Sequence, residues 1–330
     1  QKECAKRESG FTIFYLIFNI GGILGIFITS AFDNSNLAFS ICAVTLLCSM
    51  LTLQLCKRRI TIAAGRSIET QINLSKSKLS LFMLSGTALF SMLISLCFIS
   101  TETTEFLIYA ISIIAIIYLI HLAMQQQNNL AKHKIFGFII LCLFACGFWV
   151  LYNLEPSLLS IFIKKTVNTT IHIFNFEVRL PAAAFFGFEC IFIVLIGVFL
   201  SKLWLKLATQ GRDPNLAFKF GLGLLLIATG YIYLSSSINI IGVRQKTPAL
   251  IIIFSYIFFA SGELCVGPIG IAMVGKLAPP DKEGTLMGVW QLVIGVSAIL
   301  ADDIAKRVIH TASNVRGLNK AMKTLDPHTQ

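Results

Sequence analysis

Apolar residues in this sequence run in long unbroken blocks, with neither the alternation of a half-buried strand nor the stripe of a surface helix. Nine blocks, at 11–31, 38–56, 79–99, 106–124, 135–163, 181–200, 215–237, 248–276 and 284–302, are long enough to cross a bilayer, for which about 18 apolar residues suffice. They predict an all-α polytopic membrane helix bundle, with no strand pattern competing. The longest polar interval, at 57–78, opens on Lys57, Arg58 and Arg59 and closes on Lys76 and Lys78. It separates the helices of 1–56 from the rest and is the expected internal boundary, a cytoplasmic linker. Residues 79–124 then form a helical hairpin around STETTE, residues 125–134 a solvated Gln- and Asn-rich connector, residues 135–302 the main bundle and residues 303–330 a polar tail.

Composition agrees with this reading: 56% of residues are hydrophobic and only 13% charged, where soluble domains carry roughly 25%. The net charge of +11 raises the question of nucleic acid, and its distribution answers it. With residues 1–10 in the cytoplasm, the inner stretches hold 16 Lys and Arg and the outer stretches 5. This is the positive-inside asymmetry, which orients the chain and implies no acidic partner and no nucleic acid. The tail fits it poorly, since an odd number of crossings leaves Lys306, Arg307, Arg316, Lys320 and Lys323 outside. That misfit, and a start at Gln1 in a stretch too short and polar for a signal peptide, give the expectation of a fragment of a longer polypeptide. Cys42, Cys48, Cys97, Cys142, Cys146, Cys190 and Cys265 fall inside apolar blocks, where cysteine packs as a small hydrophobe. No zinc-type pairing, nucleophile elbow or phosphate-binding glycine loop occurs, so neither metal, cofactor nor enzyme activity is expected.

Two acids interrupt the apolar blocks near their midpoints: Glu189 in AAAFFGFECIFIVLIGVFL and Glu263 in SGELCVGP. A charged residue at that depth costs about 2.5–3.5 kcal/mol on insertion scales, so it lines a cavity, pairs or titrates. A buried glutamic acid, neutral and hydrogen-bonded to a neighbouring helix, is the structural alternative. Trp149, Tyr152 and Asn153 share a helix face by their spacing, and Pro156 is expected to break that helix and free backbone groups. An interfacial aromatic belt would also place Trp and Tyr there. Glu155 is expected near the outer end of the helix, in solvent. Asn19 sits among Gly21, Gly22 and Gly25, a pattern that serves close packing or ligand contact equally. Trp290 serves as packing or as pocket wall. His121 has no partner at ligand spacing, and Asn168 begins a weak glycosylation pattern in an outer loop.

At GFTIFYLIFNIGGILG the chain resembles the fifth-helix signature of the proton-dependent oligopeptide transporters of the major facilitator superfamily, with Phe18 departing from it. The stretch SGELCVGPIGIAMVGKLAPPDKEGTLMGVWQL resembles the tenth and eleventh helices, and FWVLYN with EPSLLSIF the seventh. The hairpin at 79–124 takes the place of the two helices that bacterial members insert between six-helix halves. Residues 10 to about 302 are covered, so the resemblance implies a partial major facilitator fold: helices five and six, the insertion, then seven to eleven, with helices one to four and twelve outside the sequence.

The resemblance implies proton-coupled symport of di- and tripeptides by alternating access across the cell inner membrane, with the peptide, protons and the bilayer as partners. It implies substrate contacts at Asn19, Trp149, Asn153, Glu189, Glu263 and Trp290. Glu263 would face a polar chamber and meet the peptide amino terminus or share in proton-linked gating. Three departures stand out: Asn153 where many members carry an acid, Glu189-Cys190 where Asn-Pro is usual, and Gly267 where Ser is common. The first two suggest that the proton site moves to Glu189, since of two midplane acids that lie close together one would keep its proton. Glu263 and Glu189 are the proton-coupling candidates. By itself the 330-residue chain is expected not to transport. The alternatives are a carrier of another small solute in the same superfamily and a non-functional remnant of a decayed transporter gene.

Overall fold

The computed structural model describes residues 2–30, 32, 35–64, 76–97, 100–173, 176–241, 246–279 and 282–325, and its helices follow the apolar blocks. They are α1 (Lys2–Ser30), α2 (Ser35–Ala64), α3 (Lys76–Cys97), α4 (Thr101–Met124), α5 (Asn129–Leu154), α6 (Ser160–Thr166), α7 (Phe185–Thr209), α8 (Leu216–Ile241), α9 (Ala249–Leu277) and α10 (Glu283–Leu325). Eight helical stretches are long and apolar enough to span a membrane among the described residues. The block at 79–99 contributes a shorter apolar stretch, Ser80–Met92, within α3. The chain is therefore a multi-pass membrane protein. Helix ends outrun the apolar blocks: α1 begins in the charged leader, and α10 carries the expected polar tail on as helix to Leu325. Of the linker at 57–78, residues 65–75 lie outside the described residues, as do the tail's side chains beyond Thr311.

Caps set several boundaries. The Asn128 carboxamide accepts from the Leu130 N–H at 2.9 Å to start α5, and that of Asn215 accepts from Phe218 at 2.7 Å to start α8. Helix α7 stops at Gly211, whose φ of +71° suits glycine. There Arg212 N–H reaches Leu207 O at 2.9 Å and Gly211 N–H reaches Ala208 O at 3.2 Å, which satisfies two orphan carbonyls.

Residues group into two compact units, 1–27 with 108–330 and 28–107. In the smaller unit, apolar side chains such as Leu46, Leu47, Phe82 and Phe90 point outward, as lipid contact requires. Its hydroxyls fold back on their own helices: Thr45 donates to Ile41 O, Thr52 to Cys48 O and Thr87 to Met83 O, each at 2.8 Å. No hydroxyl of these three is left to face hydrocarbon alone.

The larger unit is built around α9, of which 61% is buried against at most 33% in the other spanning stretches. It packs on α7 and α8 and also meets α5 and α10. Glycines allow these approaches: a Cβ at Gly262 would sit 2.9 Å from the Gly223 carbonyl of α8, and one at Gly270 would strike the Trp290 indole of α10. Helix α1 joins this core by seating Leu16 against Gly197 of α7 and Leu264 of α9. Helix α4 contributes Leu119, Leu122 and Ala123, buried on one face.

One expectation is corrected. Pro156 does not break its helix; residues Glu155–Leu159 widen into a π-helical turn, closed by Ser160 N–H to Glu155 O, that carries α5 into α6. The proline lacks an N–H and crowds the carbonyl one turn back, and one extra residue in the turn relieves both. Short strands also occur in the loops: a hairpin of β2 (Thr170–Ile173) with β3 (Phe176–Arg179), and a parallel pair of β1 (Val167–Asn168) with β4 (Thr247–Pro248). They are too short to compete with helix in a search for long apolar blocks.

Because Trp290 fills the space a side chain at position 270 would need, Gly270→Ala should lower the melting temperature in detergent, by about 1–3 kcal/mol of overpacking. Gly288→Ala, at a position with nothing within 4 Å of the new methyl, should leave it level or raise it. Thermal unfolding of the two variants side by side checks this.

Candidate functional site

Glu263 lies in the most buried part of α9 and is itself only 5% exposed. One carboxyl oxygen accepts from the Tyr15 hydroxyl of α1, and the other accepts from the Tyr152 hydroxyl of α5 at 2.9 Å. Three helices thus meet at one carboxyl group. Gly267 makes room for this: a Cβ there would come within 2.9 Å of the Tyr15 hydroxyl, which is a local reason for glycine at that position. Two phenol hydroxyls thus sit on the Glu263 carboxyl group.

Around this junction lie two more acids. Glu189 of α7 is 5% exposed. Glu155, expected in solvent, is 2% exposed, and its burial is a correction. The helix does not end near this residue but runs on through the π-helical turn and α6 to Thr166, so position 155 lies well inside the spanning stretch. The carboxyls of Glu155 and Glu189 lie within interaction range of each other, of Glu263 and of the Tyr256 hydroxyl on α9. Yet Glu155 Oε1, Glu189 Oε1 and the Tyr256 hydroxyl are buried without a hydrogen-bond partner among the described residues.

The other expected site residues separate. Trp149 stands edge-on to Tyr152, ring centroids 5.1 Å apart, with its indole N–H buried and unpartnered among the described residues. Asn19 lies one turn from Tyr15 and donates to the Tyr15 carbonyl at 2.9 Å. Asn153 turns away from the acids and donates to the Ser297 hydroxyl of α10 at 3.2 Å. Trp290 packs in the hydrophobic core against Gly270 and edge-on to Phe220, at 6.2 Å between ring centroids. His121 meets Gln125 at 2.9 Å on an exposed helix face, and Asn168 accepts from the Thr170 N–H at 3.2 Å.

Sequence reasoning did not single out Tyr15 and Tyr256 as site residues. Tyr15 stands one turn before Asn19 and Tyr256 two turns before Glu263, so helical spacing from the singled-out residues was the available signal. A cavity of about 800 Å³ lies elsewhere, lined by Gly137, Asp213, Lys219 and Lys276 among others. There Lys219 is buried, paired with Asp213 at 2.8 Å and set over the Trp204 ring.

The arrangement is a buried acidic centre reached by hydroxyl donors from α1, α5 and α9. Among the described residues no group of three or more metal-ligating side chains is placed to hold a metal ion. The chemistry within its reach is the binding of a proton or of another positively charged group.

Comparison with known proteins places the chain. The POT family profile matches residues 1–320. The chain is 24% identical over 309 residues to dipeptide and tripeptide permease B of Xenorhabdus bovienii, covering 92% of this chain and 62% of that protein. It is 24% identical over 321 residues to the uncharacterized transporter YclF of Bacillus subtilis, with the same coverages. The chain therefore spans 62% of the length of these two curated relatives. Among solved structures, a POT family transporter in complex with a thioalcohol-conjugated peptide superposes with a TM-score of 0.73 at 22% identity, over 91% of this chain and 63% of that one. A POT family transporter in complex with 5-aminolevulinic acid gives 0.72 at 22% identity, over 90% and 62%. With the family profile matched over nearly its whole length and the same bundle in its structural neighbours, the chain belongs to the POT family of transporters.

Proposed function

We propose that this chain forms part of a carrier that moves di- and tripeptides across the cell inner membrane by alternating access, driven by protons. The observation that carries the reading is the Glu263 junction, where one buried carboxyl is shared by hydroxyls from α1 and α5. A peptide amino terminus is an ammonium group with three donors, and a desolvated carboxylate is its natural counterpart. Because Tyr15 and Tyr152 occupy the carboxyl oxygens, the ammonium would take over acceptor positions that the phenols now fill. The exchange would free the two phenol hydroxyls to donate to other acceptors, such as carbonyl oxygens of the bound peptide. It also ties solute binding to the relative positions of α1, α5 and α9, the kind of differential contact by which a ligand biases one arrangement of helices over another.

Relatives named as dipeptide and tripeptide permeases support the substrate class. The burial of Glu189 and Glu263 in one acidic centre supports proton coupling there, with no metal or cofactor proposed. Trp149 and Asn19 border the centre and are proposed as substrate contacts, Trp149 with an indole N–H to offer. Asn153 and Trp290 would support the site through α10.

Glu263→Gln, in the protein expressed from its own gene, should weaken dipeptide binding about ten- to a hundredfold, the range for a hydrogen bond to a charged group. Binding of the N-acetylated dipeptide, which has no ammonium, should be insensitive to the same change. Equal losses for both ligands, measured by calorimetry on the purified protein, would remove the amino terminus from this role.

For the proton, uptake into proteoliposomes driven by a pH gradient should lose its dependence on that gradient in Glu189→Gln. Gradient-dependent accumulation as strong as in the unmodified protein would move the coupling elsewhere.

A further inference from the structure

Glu155 enters neither the sequence-derived site nor the Glu263 junction, although it is the most buried of the three acids, at 2% exposed. Its carboxyl interacts with that of Glu189, from another helix. Tyr256, fully buried, directs its hydroxyl toward the same pair and is left without a hydrogen-bond partner among the described residues. Among the described residues, the groups that face the pair are Tyr15 from α1, Tyr152 from α5, Cys190 from α7, Tyr231 from α8, and Tyr256 and Glu263 from α9. Helix α10 adds Ala301 and Ala305 beside neighbouring Leu154. None of these is a cation.

Two ionised carboxylates side by side offer only acceptors and repel each other, and among the described residues neither water-exposed surface nor a positive side chain offsets the repulsion. One proton changes both defects at once. It removes one negative charge and supplies the donor that two acceptor-only groups lack, while the Tyr256 hydroxyl can donate to a remaining oxygen. Glu263 needs no such help, because each of its oxygens already accepts from a tyrosine.

We infer that Glu155 and Glu189 form a single proton-holding pair, one proton shared between the two carboxyls beneath the Tyr256 hydroxyl, distinct from the Glu263 junction. Loading places one proton on the pair and unloading returns it to water; no other bond is made or broken. In the carrier reading, on which only this part rests, the pair is where the driving proton is held while Glu263 meets the solute. The pair joins α7 to the π-helical turn between α5 and α6, so its charge state bears on a contact between helices.

Infrared titration of the purified protein follows the protonated-carboxyl band without any need for transport. The pair should lose its protons in two separated steps, as strongly interacting sites do. Either Glu155→Gln or Glu189→Gln should reduce the two steps to one, and Glu263→Gln should keep both. A wild-type protein in which the two groups titrate in one unresolved step overturns the pair, whatever the variants do. So does a Glu155→Gln protein that retains both steps. In proteoliposomes, the ratio of gradient-driven uptake to dipeptide counterflow should fall about tenfold in Glu155→Gln, within the range typical of coupling between two sites. The double variant should be no worse than either single one, because the two act as a unit. Should the protein expressed from its own gene neither accumulate nor exchange dipeptides, the carrier reading fails, and the infrared steps still decide the pair.

Discussion

At the centre of a bilayer a polar group has no water to turn to, so each must find its partner inside the protein. Most of this chain meets that constraint in ways that leave no chemistry behind. Serines and threonines bond back to carbonyls one turn earlier, helix ends are capped, and the Lys219 ammonium lies against Asp213 and an indole ring. The acidic centre meets it only in part. Glu263 is fully provided for by two tyrosines, whereas Glu155, Glu189 and Tyr256 keep atoms without a hydrogen-bond partner among the described residues. Unmet demand of that kind is expensive in a low-dielectric interior.

The packing of α9 explains how three acids come to share one region. Small residues along it, Gly262, Gly267 and Gly270, receive the Gly223 backbone, the Tyr15 ring and the Trp290 indole in turn. The approach at Gly267 brings α1 within side-chain reach of Glu263, and those at Gly262 and Gly270 seat α8 and α10 on the same helix. Gly267 is therefore part of the site's geometry even though it bears no functional group. Trp290 serves the same end from the outside, filling the space its glycine leaves and holding α10 in register.

Much of this was legible in the residue order. Long apolar blocks dictate the spanning helices because hydrocarbon admits little else, and an acid in the middle of a block stands out for the same reason, as Glu189 and Glu263 did. What escaped depended on contacts between segments far apart in sequence. Nothing local tells that Tyr15 meets Glu263 across 248 positions, or that Asn153 turns to Ser297 while its neighbour Tyr152 turns to the acid. Trp149 and Trp290 look alike as lone indoles in apolar blocks; only packing separates the one beside Tyr152 from the one sealed in the core. The short strands of the loops are held by pairing between partners such as Val167 and Thr247, which no periodicity announces.

Glu155 escaped because its helix runs on past Pro156 instead of ending near it, and the way it runs on reaches beyond this residue. A wide turn inserts a phase shift of about 100° into the helix that contains it, one residue's share of a 3.6-residue turn. Any wheel drawn through α5 and continued past Pro156 places every later side chain on the wrong side. The two ends of what looks like one rod are, in angular terms, separate objects, and residues compared by position across that point should be compared with the offset removed.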